Sequence, residues 1–427
     1  MTLAVPTRER MRPTQAVILA GGRGTRMLPY TETRPKTMIE FHGKPFLEYV
    51  LDMLREQGFN RFLMLLGYLP EVIQNHFGDG SRWGVEIDYS VSDADTLTSR
   101  RIQLARHLID PCFLLMYCDN YWPMQMDRMW SKFVAADVPA MITVYSNKDK
   151  FSKDSVVVGD DGYVKVFDRH RKTPGLSGIE ISYAILSREV LDLLPEDEML
   201  VEEALYTPLA RQGRLAAYVT DHRYYSVGSV DRLPITDEFF ARRPTVILDR
   251  DGVINKKPPR AQYVRNWSEF EWLPGAQEAL RMLREAGFRV ILVSNQAGIA
   301  RGAMSEADLS DIHQRLNAEV AEVGGRIDAS YHCPHDWDAG CECRKPRAGM
   351  LFRAQRDFHL DLSRTFFIGD DERDGQTAEV AGCPFLRVTE DKNLLDCTRE
   401  VLGNRMYQKV RENSSATRGK ETCQNAF

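Results

Sequence analysis

Two aspartates separated by one residue, Asp249 and Asp251, follow the apolar run Thr245–Leu248 and precede Gly252. In an extended chain that spacing points both side chains to the same side. One carboxylate can then attack phosphorus while its neighbour protonates the leaving oxygen. Two anions beside a phosphate repel it, so such a site calls for a divalent cation, and magnesium suits an all-oxygen ligand set. Asp370 and Asp371, after the run Phe366–Gly369, offer a second carboxylate pair to hold it. Ser294 and Asn295 end a third apolar run and can donate hydrogen bonds to phosphoryl oxygens, while Lys345 can neutralise the same group. All four clusters fall where an open α/β sheet places its ligands, at the C-terminal ends of strands. Taken alone, the aspartate pair could equally cap a turn; the four clusters together argue for a site.

Cys333, His335, Cys341 and Cys343 bring three of the eight cysteines and an imidazole into one short stretch. Two close pairs joined by a short loop suit tetrahedral zinc, and four protein ligands leave no open position for catalysis. The expected role is structural, pinning the loop that runs directly into Arg344 and Lys345. His332, next door, reads as a packed or exposed histidine rather than a fifth ligand.

A different chemistry stands near the start. Gly21, Gly22, Gly24 and Thr25 follow the apolar run Gln15–Ala20, interleaved with Arg23 and Arg26. Glycines there let backbone N–H groups approach a triphosphate, and the arginines balance its charge. The run lacks the Gly-Lys-Ser/Thr ending of a Walker loop, and its glycine spacing does not fit a dinucleotide fingerprint.

These residues need two scaffolds. A chain of 427 residues suggests two or three domains, and its 43% hydrophobic and 27% charged content is that of a globular protein with material for two cores. The net charge of −5, with both signs mixed along the chain, argues against nucleic acid as the main partner. No apolar run approaches the ~18 residues that span a bilayer, and the opening segment lacks the apolar core of a secretory signal, so a cytoplasmic enzyme is expected. Each half alternates short apolar strands with amphipathic helices, the pattern of parallel α/β sheets. Strands are expected at 15–20, 61–66, 113–117, 140–145, 245–248, 289–293 and 365–368, and helices at 45–57, 276–286 and 306–323. The segmentation is an extension at 1–13, a first domain at 14–240, a linker at 241–244 ending in Pro244, a second domain at 245–403 and a polar, disordered tail at 404–427.

The set Asp249-Arg250-Asp251-Gly252, Ser294-Asn295-Gln296, Arg344-Lys345-Pro346 and Gly369-Asp370-Asp371 resembles the haloacid dehalogenase phosphatases. By that resemblance Asp249 is the nucleophile and Asp251 the acid/base. Ser294 binds phosphate, Lys345 stabilises the intermediate, and Asp249, Asp251 (through its backbone carbonyl) and Asp370 surround magnesium. Asn295, Arg301 and Arg344 become candidate substrate contacts, Arg301 competing with a plain exposed arginine. The zinc loop narrows the relatives to heptose bisphosphate and histidinol-phosphate phosphatases. The stretch Asn295–Gly302 is similar to the heptose type, which implies removal of the 7-phosphate from D-glycero-D-manno-heptose 1,7-bisphosphate.

In the first half, Arg34-Pro35-Lys36-Thr37-Met38 and Gly43-Lys44-Pro45 extend the glycine-rich turn into a resemblance to sugar-phosphate nucleotidyltransferases, over roughly 14–240. It implies coupling of a sugar 1-phosphate to a nucleoside triphosphate, GTP by similarity to guanylyltransferases, with Arg26 and Lys36 catalytic and Asp119 on magnesium. It further implies sugar contacts at Asp168, Glu180 and Glu203. One position departs: Ser226 stands where the family carries a second metal-binding aspartate, with Asp221 and Asp231 nearby. The combined expectation is two tandem Rossmann-like parallel-sheet domains, the second a phosphatase with a zinc loop, in one heptose-activating enzyme. The competing readings are a first half that only binds sugar or oligomerises, and a histidinol-phosphate phosphatase.

Overall fold

The computed structural model describes residues 11–404, so most of the expected N-terminal extension and polar tail lies outside the described residues. The chain divides into two compact units, Met1–Asp237 and Glu238–Phe427, just ahead of the expected linker. No helix among the described residues is long and apolar enough to cross a membrane.

The first unit is built on a seven-stranded sheet. In chain order its strands are β1 (Gln15–Ala20), β2 (Arg61–Leu66), β3 (Glu86–Val91), β4 (Cys112–Tyr117), β5 (Ala140–Tyr145), β6 (Ile179–Ser187) and β7 (Leu215–Thr220). They lie in the order β7-β5-β6-β4-β1-β2-β3. β1 pairs in parallel with β2 and β4, but β6 runs antiparallel to both β4 and β5. The sheet is therefore parallel-dominated, as expected, with β6 as its one reversed strand. Helix α1 (Phe46–Glu56) follows the glycine turn, and its stripe of Leu47, Val50, Leu51 and Leu54 is buried, as the 3.6-residue spacing predicts.

The second unit has five parallel strands: β8 (Thr245–Leu248), β9 (Arg289–Asn295), β10 (Ala329–Cys333), β11 (Phe366–Gly369) and β12 (Phe385–Arg387), ordered β10-β9-β8-β11-β12. Alternate residues feed two cores. Val246, Leu248, Val290, Leu292 and Ile368 pack on one face, and Ile247, Ile291, Val293 and Phe367 on the other. A parallel sheet covered on both faces needs such unbroken apolar runs. Helices α2 (Ala276–Glu285), α3 (Glu306–Glu322), α4 (Gly349–Phe358) and α5 (Glu372–Ala381) connect the strands. α3 opens on a Ser305–Asp308 capping box, and α5 on one formed by Asp371 and Asp374.

Candidate active sites and metal centre

The end of β8 turns sharply, with Gly252 at φ 97°. A Cβ there would fall 2.4 Å from Asp370 Oδ2, so only glycine lets the turn and the end of β11 meet. Asp249, 7% exposed, lies beside Lys345, whose Nζ is 2.8 Å from Asp249 Oδ1 and 2.7 Å from Asp374 Oδ1. Asn295 clamps the lysine backbone reciprocally: Lys345 N–H donates to its Oδ1 at 3.1 Å, and its Nδ2 donates to the Lys345 carbonyl at 3.2 Å. Ser294 Oγ accepts from Gln296 Nε2 at 2.6 Å. Asp249, Asp251, Ser294, Asn295, Arg344 and Lys345 all line one cavity of about 710 Å³.

Asp251 has a different setting. The fully buried Arg250 grips it with Nη2 at 2.9 Å from both oxygens, and Asn255 Nδ2 and Gln296 Nε2 donate to it at 2.9 and 3.0 Å. Burial pushes the carboxyl up, but Arg250 and these hydrogen bonds outweigh it and hold it below the usual range. Burial pushes Asp249 up to about 7 despite Lys345, with Asp374 and Asp251 adding to the rise. The two neighbouring carboxylates therefore differ in acidity, Asp249 above and Asp251 below the usual carboxylate range.

The carboxylates that converge closely enough to share a cation are Asp249, Asp370 and Asp374, with oxygens within 4.8 Å of one another. Asp370 Oδ1 is buried with no hydrogen-bond partner, a desolvated oxygen that a cation would satisfy. The side chain of Asp251 is turned away from this group towards Arg250. Asp371 is held by Lys257 at 2.9 Å and Arg373 at 2.8 Å rather than entering it. Sequence reasoning missed Asp374. Its only local signal, three residues after Asp371, reads as a helix cap, and it does cap: the Asp371 N–H donates to Asp374 Oδ2 at 3.1 Å. Arg250, Asn255, Gln296 and Lys257 were missed as well.

Cys333, His335, Cys341 and Cys343 converge as their spacing predicts. Cys341 Sγ is 3.6 Å from both Cys333 Sγ and Cys343 Sγ, and His335 Nδ1 is 3.6 and 3.3 Å from Cys333 and Cys343. A tetrahedron with Zn–S bonds of ~2.3 Å has edges of ~3.8 Å, shorter where nitrogen replaces sulfur. The donor set and its spacing fit zinc. Arg301 lies outside the phosphatase cavity, paired with Asp336 at 2.8 Å and stacked on Trp337.

In the first unit, Gly21, Gly22, Gly24 and Thr25 line one cavity together with Lys36. A Cβ at Gly21 would sit 2.2 Å from Arg101 Nη1. That buried arginine donates to the carbonyls of Leu66, Gly21, Asp93, Ala94 and Thr96 and so fixes the loop. A neighbouring cavity of about 450 Å³ holds Arg26, Lys36, Asp119, Glu180, Glu202 and Ser226. Lys36 pairs with Asp119. Burial pushes the Asp119 carboxyl up, but Lys36 outweighs it and holds it below its ordinary value. Ser226 lies beside Asn120 in a short antiparallel bridge, its Oγ accepting from the Gly228 N–H at 3.0 Å. Asp119 belongs to no metal-sized cluster among the described residues. Asp221 pairs with Lys148 at 3.2 Å and Asp231 with Arg232 at 3.7 Å, and neither lines the cavity. Asp168 is spent on its own loop, accepting from the N–H groups of Arg171, Lys172 and Thr173. Glu203 pairs with His170, and its neighbour Glu202 is the one that faces inward, held by Arg169 and Tyr117.

Comparison with known proteins agrees with this division. Residues 15–168 match the family described as nucleotidyl transferase, and residues 245–383 match the family described as polynucleotide kinase 3 phosphatase. Over 138 residues the chain is 41% identical to the D-glycero-beta-D-manno-heptose-1,7-bisphosphate 7-phosphatase of Bordetella bronchiseptica, covering 32% of this chain and 76% of that one. The enzyme of the same name from Pseudomonas aeruginosa is 40% identical over 152 residues, 36% of this chain and 84% of its own. Among solved structures, HddC from Yersinia pseudotuberculosis aligns over 53% of this chain and 99% of its own, at 24% identity and a TM-score of 0.46. The chain belongs, through its second unit, to the heptose bisphosphate phosphatase family, and it carries a nucleotidyl transferase domain ahead of it.

Proposed function

We propose that the protein makes an activated heptose in two steps: hydrolysis of the 7-phosphate of D-glycero-D-manno-heptose 1,7-bisphosphate, then transfer of GMP from GTP to the resulting heptose 1-phosphate. The observation that carries the first step is Asp249 held by Lys345 at the end of β8, with Asp251 in a separate clamp in the same cavity. Asp249 attacks phosphorus and becomes an aspartyl phosphate, and Lys345 and Ser294 hold the phosphoryl oxygens. At rest Asp251 is ionised. A phosphoryl group placed beside it raises its proton affinity, so it takes up a proton from solvent and gives it to the leaving sugar oxygen as the P–O bond breaks; it then takes a proton from the water that attacks phosphorus, which breaks the Asp249–P bond and releases phosphate. Asp249, Asp370 and Asp374 would hold magnesium, which supplies charge neutralisation for the phosphoryl group. Cys333, His335, Cys341 and Cys343 would hold a structural zinc.

For the second step, Arg26 and Lys36 would balance the charge of the triphosphate, and Glu180 in the same cavity would meet sugar hydroxyls. Purified protein given the bisphosphate, GTP and magnesium should release both phosphate and pyrophosphate; phosphate alone would sink the transferase. Ser226 favours a second reading, a first unit that binds sugar without transferring a nucleotide, because a neutral hydroxyl stands beside Asp119. Transferase activity gained only in Ser226→Asp would support that reading.

A further inference from the structure

The cavity over Asp249 is large enough for a whole sugar phosphate, not merely the reacting group. Its basic side chains differ in how they are committed. Lys345, Lys257 and Arg373 are each held by carboxylates of the site, at 2.8, 2.7 and 2.8 Å. Arg344 donates to the His335 carbonyl at 3.4 Å. Arg260 is exposed at the mouth and makes no ion pair among the described residues.

The backbone that carries this uncommitted cation is nevertheless constrained. It occupies a tight turn closed by the Gln262 N–H on the Pro259 carbonyl at 2.9 Å, and Pro258 and Pro259 stiffen the approach. The next residue, Ala261, sits at φ 65°, a left-handed conformation that a side chain bearing a Cβ adopts only at a cost. The guanidinium lies 5.7 Å from the Trp337 ring centre. Arg301 lies over the same ring at 3.9 Å and is itself anchored on Asp336. Strain, proline and an aromatic platform together present one arginine to the cavity.

We propose that Arg260 is a specificity-determining residue of the phosphatase, binding the second, non-reacting phosphate of a bisphosphorylated sugar. The reacting phosphate belongs at the buried floor, where Asp249, Ser294 and Lys345 meet. The exposed rim is left for the distal anion, and a guanidinium fork matches phosphate oxygens in pairs. The proposal rests on the reading of the second unit as a sugar bisphosphate phosphatase.

The test compares the full chain with Arg260→Gln and Arg260→Lys on heptose 1,7-bisphosphate and on heptose 7-phosphate, with magnesium present. Loss of a charge-assisted contact should lower the ratio of kcat/KM for the two substrates about 10- to 100-fold in R260Q, chiefly through KM. R260K should recover part of that ratio. An unchanged ratio in R260Q, or an equal fall on both substrates, overturns the proposal. So does a wild type that hydrolyses both substrates equally well, although the phosphatase reading then stands. Release of phosphate from neither substrate sinks that reading too.

Discussion

Glu180 looks into the cavity of the first unit next to Glu202, which is 4% exposed. Burial pushes the Glu180 carboxyl up to about 8, and the charge of Glu202 adds to the rise. An unfolded glutamate titrates near ~4.3, so between that value and about 8 the folded chain holds a proton that the unfolded chain has lost. Stability from this group is therefore complete below the unfolded value and is lost as pH rises through the folded one. Glutamine removes the dependence while keeping an oxygen for the Ser182 N–H, which now donates to Glu180 Oε1 at 2.6 Å. The expected result is that Glu180→Gln gains on wild type as pH rises from 5 to 8. Because Glu180 is only partly shielded from the cavity, the gain at pH 8 should be on the order of 1–2 kcal/mol. Thermal scans at both ends of the range check it. A difference that does not change with pH would mean Glu180 titrates as an ordinary carboxyl.

If the Cys333–Cys343 loop holds zinc as proposed, it is an element that supports chemistry it does not perform. Cys343 is two residues from Lys345, and Asn295 at the end of β9 grips the lysine backbone from the other side. Cys341→Ser should therefore cost bound zinc and, with it, about 10- to 100-fold in phosphate release, the usual scale for losing an outer support. Metal analysis and phosphate release on the same sample check both halves of that expectation. Zinc lost with the rate intact would show that the loop does not position Lys345. The convergence of Cys333, His335, Cys341 and Cys343 was legible in the sequence because the four are close in the chain. β8 and β9 were legible because both of their faces are buried and their apolar runs unbroken. Asp374 was not, because a carboxylate at the third position of a helix reads first as a cap, and here it caps the helix while also converging with Asp249 and Asp370. The reversed direction of β6 was hidden as well. Its partners, β4 and β5, both precede it in the chain, and strand patterning encodes burial rather than polarity. That Glu202 rather than Glu203 faces the cavity was hidden for a similar reason: with adjacent glutamates, only the packing of Arg169 and Tyr117 decides which one turns inward.

At the scale of the whole chain, two active sites proposed to act in series make a prediction neither makes alone. The bisphosphate carries a phosphate at each end, and the proposed transferase substrate carries only the one on C1. If removal of the 7-phosphate must come first, Asp249→Asn should stop phosphate release by on the order of 10³-fold or more and should also stop pyrophosphate release from the bisphosphate and GTP. Heptose 1-phosphate supplied to the same variant should restore pyrophosphate release, because Arg26, Lys36 and Asp119 lie in the other unit and are untouched. Lys36→Ala should show the mirror image, releasing phosphate but no pyrophosphate. Mixing the two variants should then restore both products through free diffusion of the intermediate. The informative failure is pyrophosphate formed by D249N directly from the bisphosphate. That outcome would show that the first unit accepts a 7-phosphorylated sugar and that removal of the 7-phosphate need not come first.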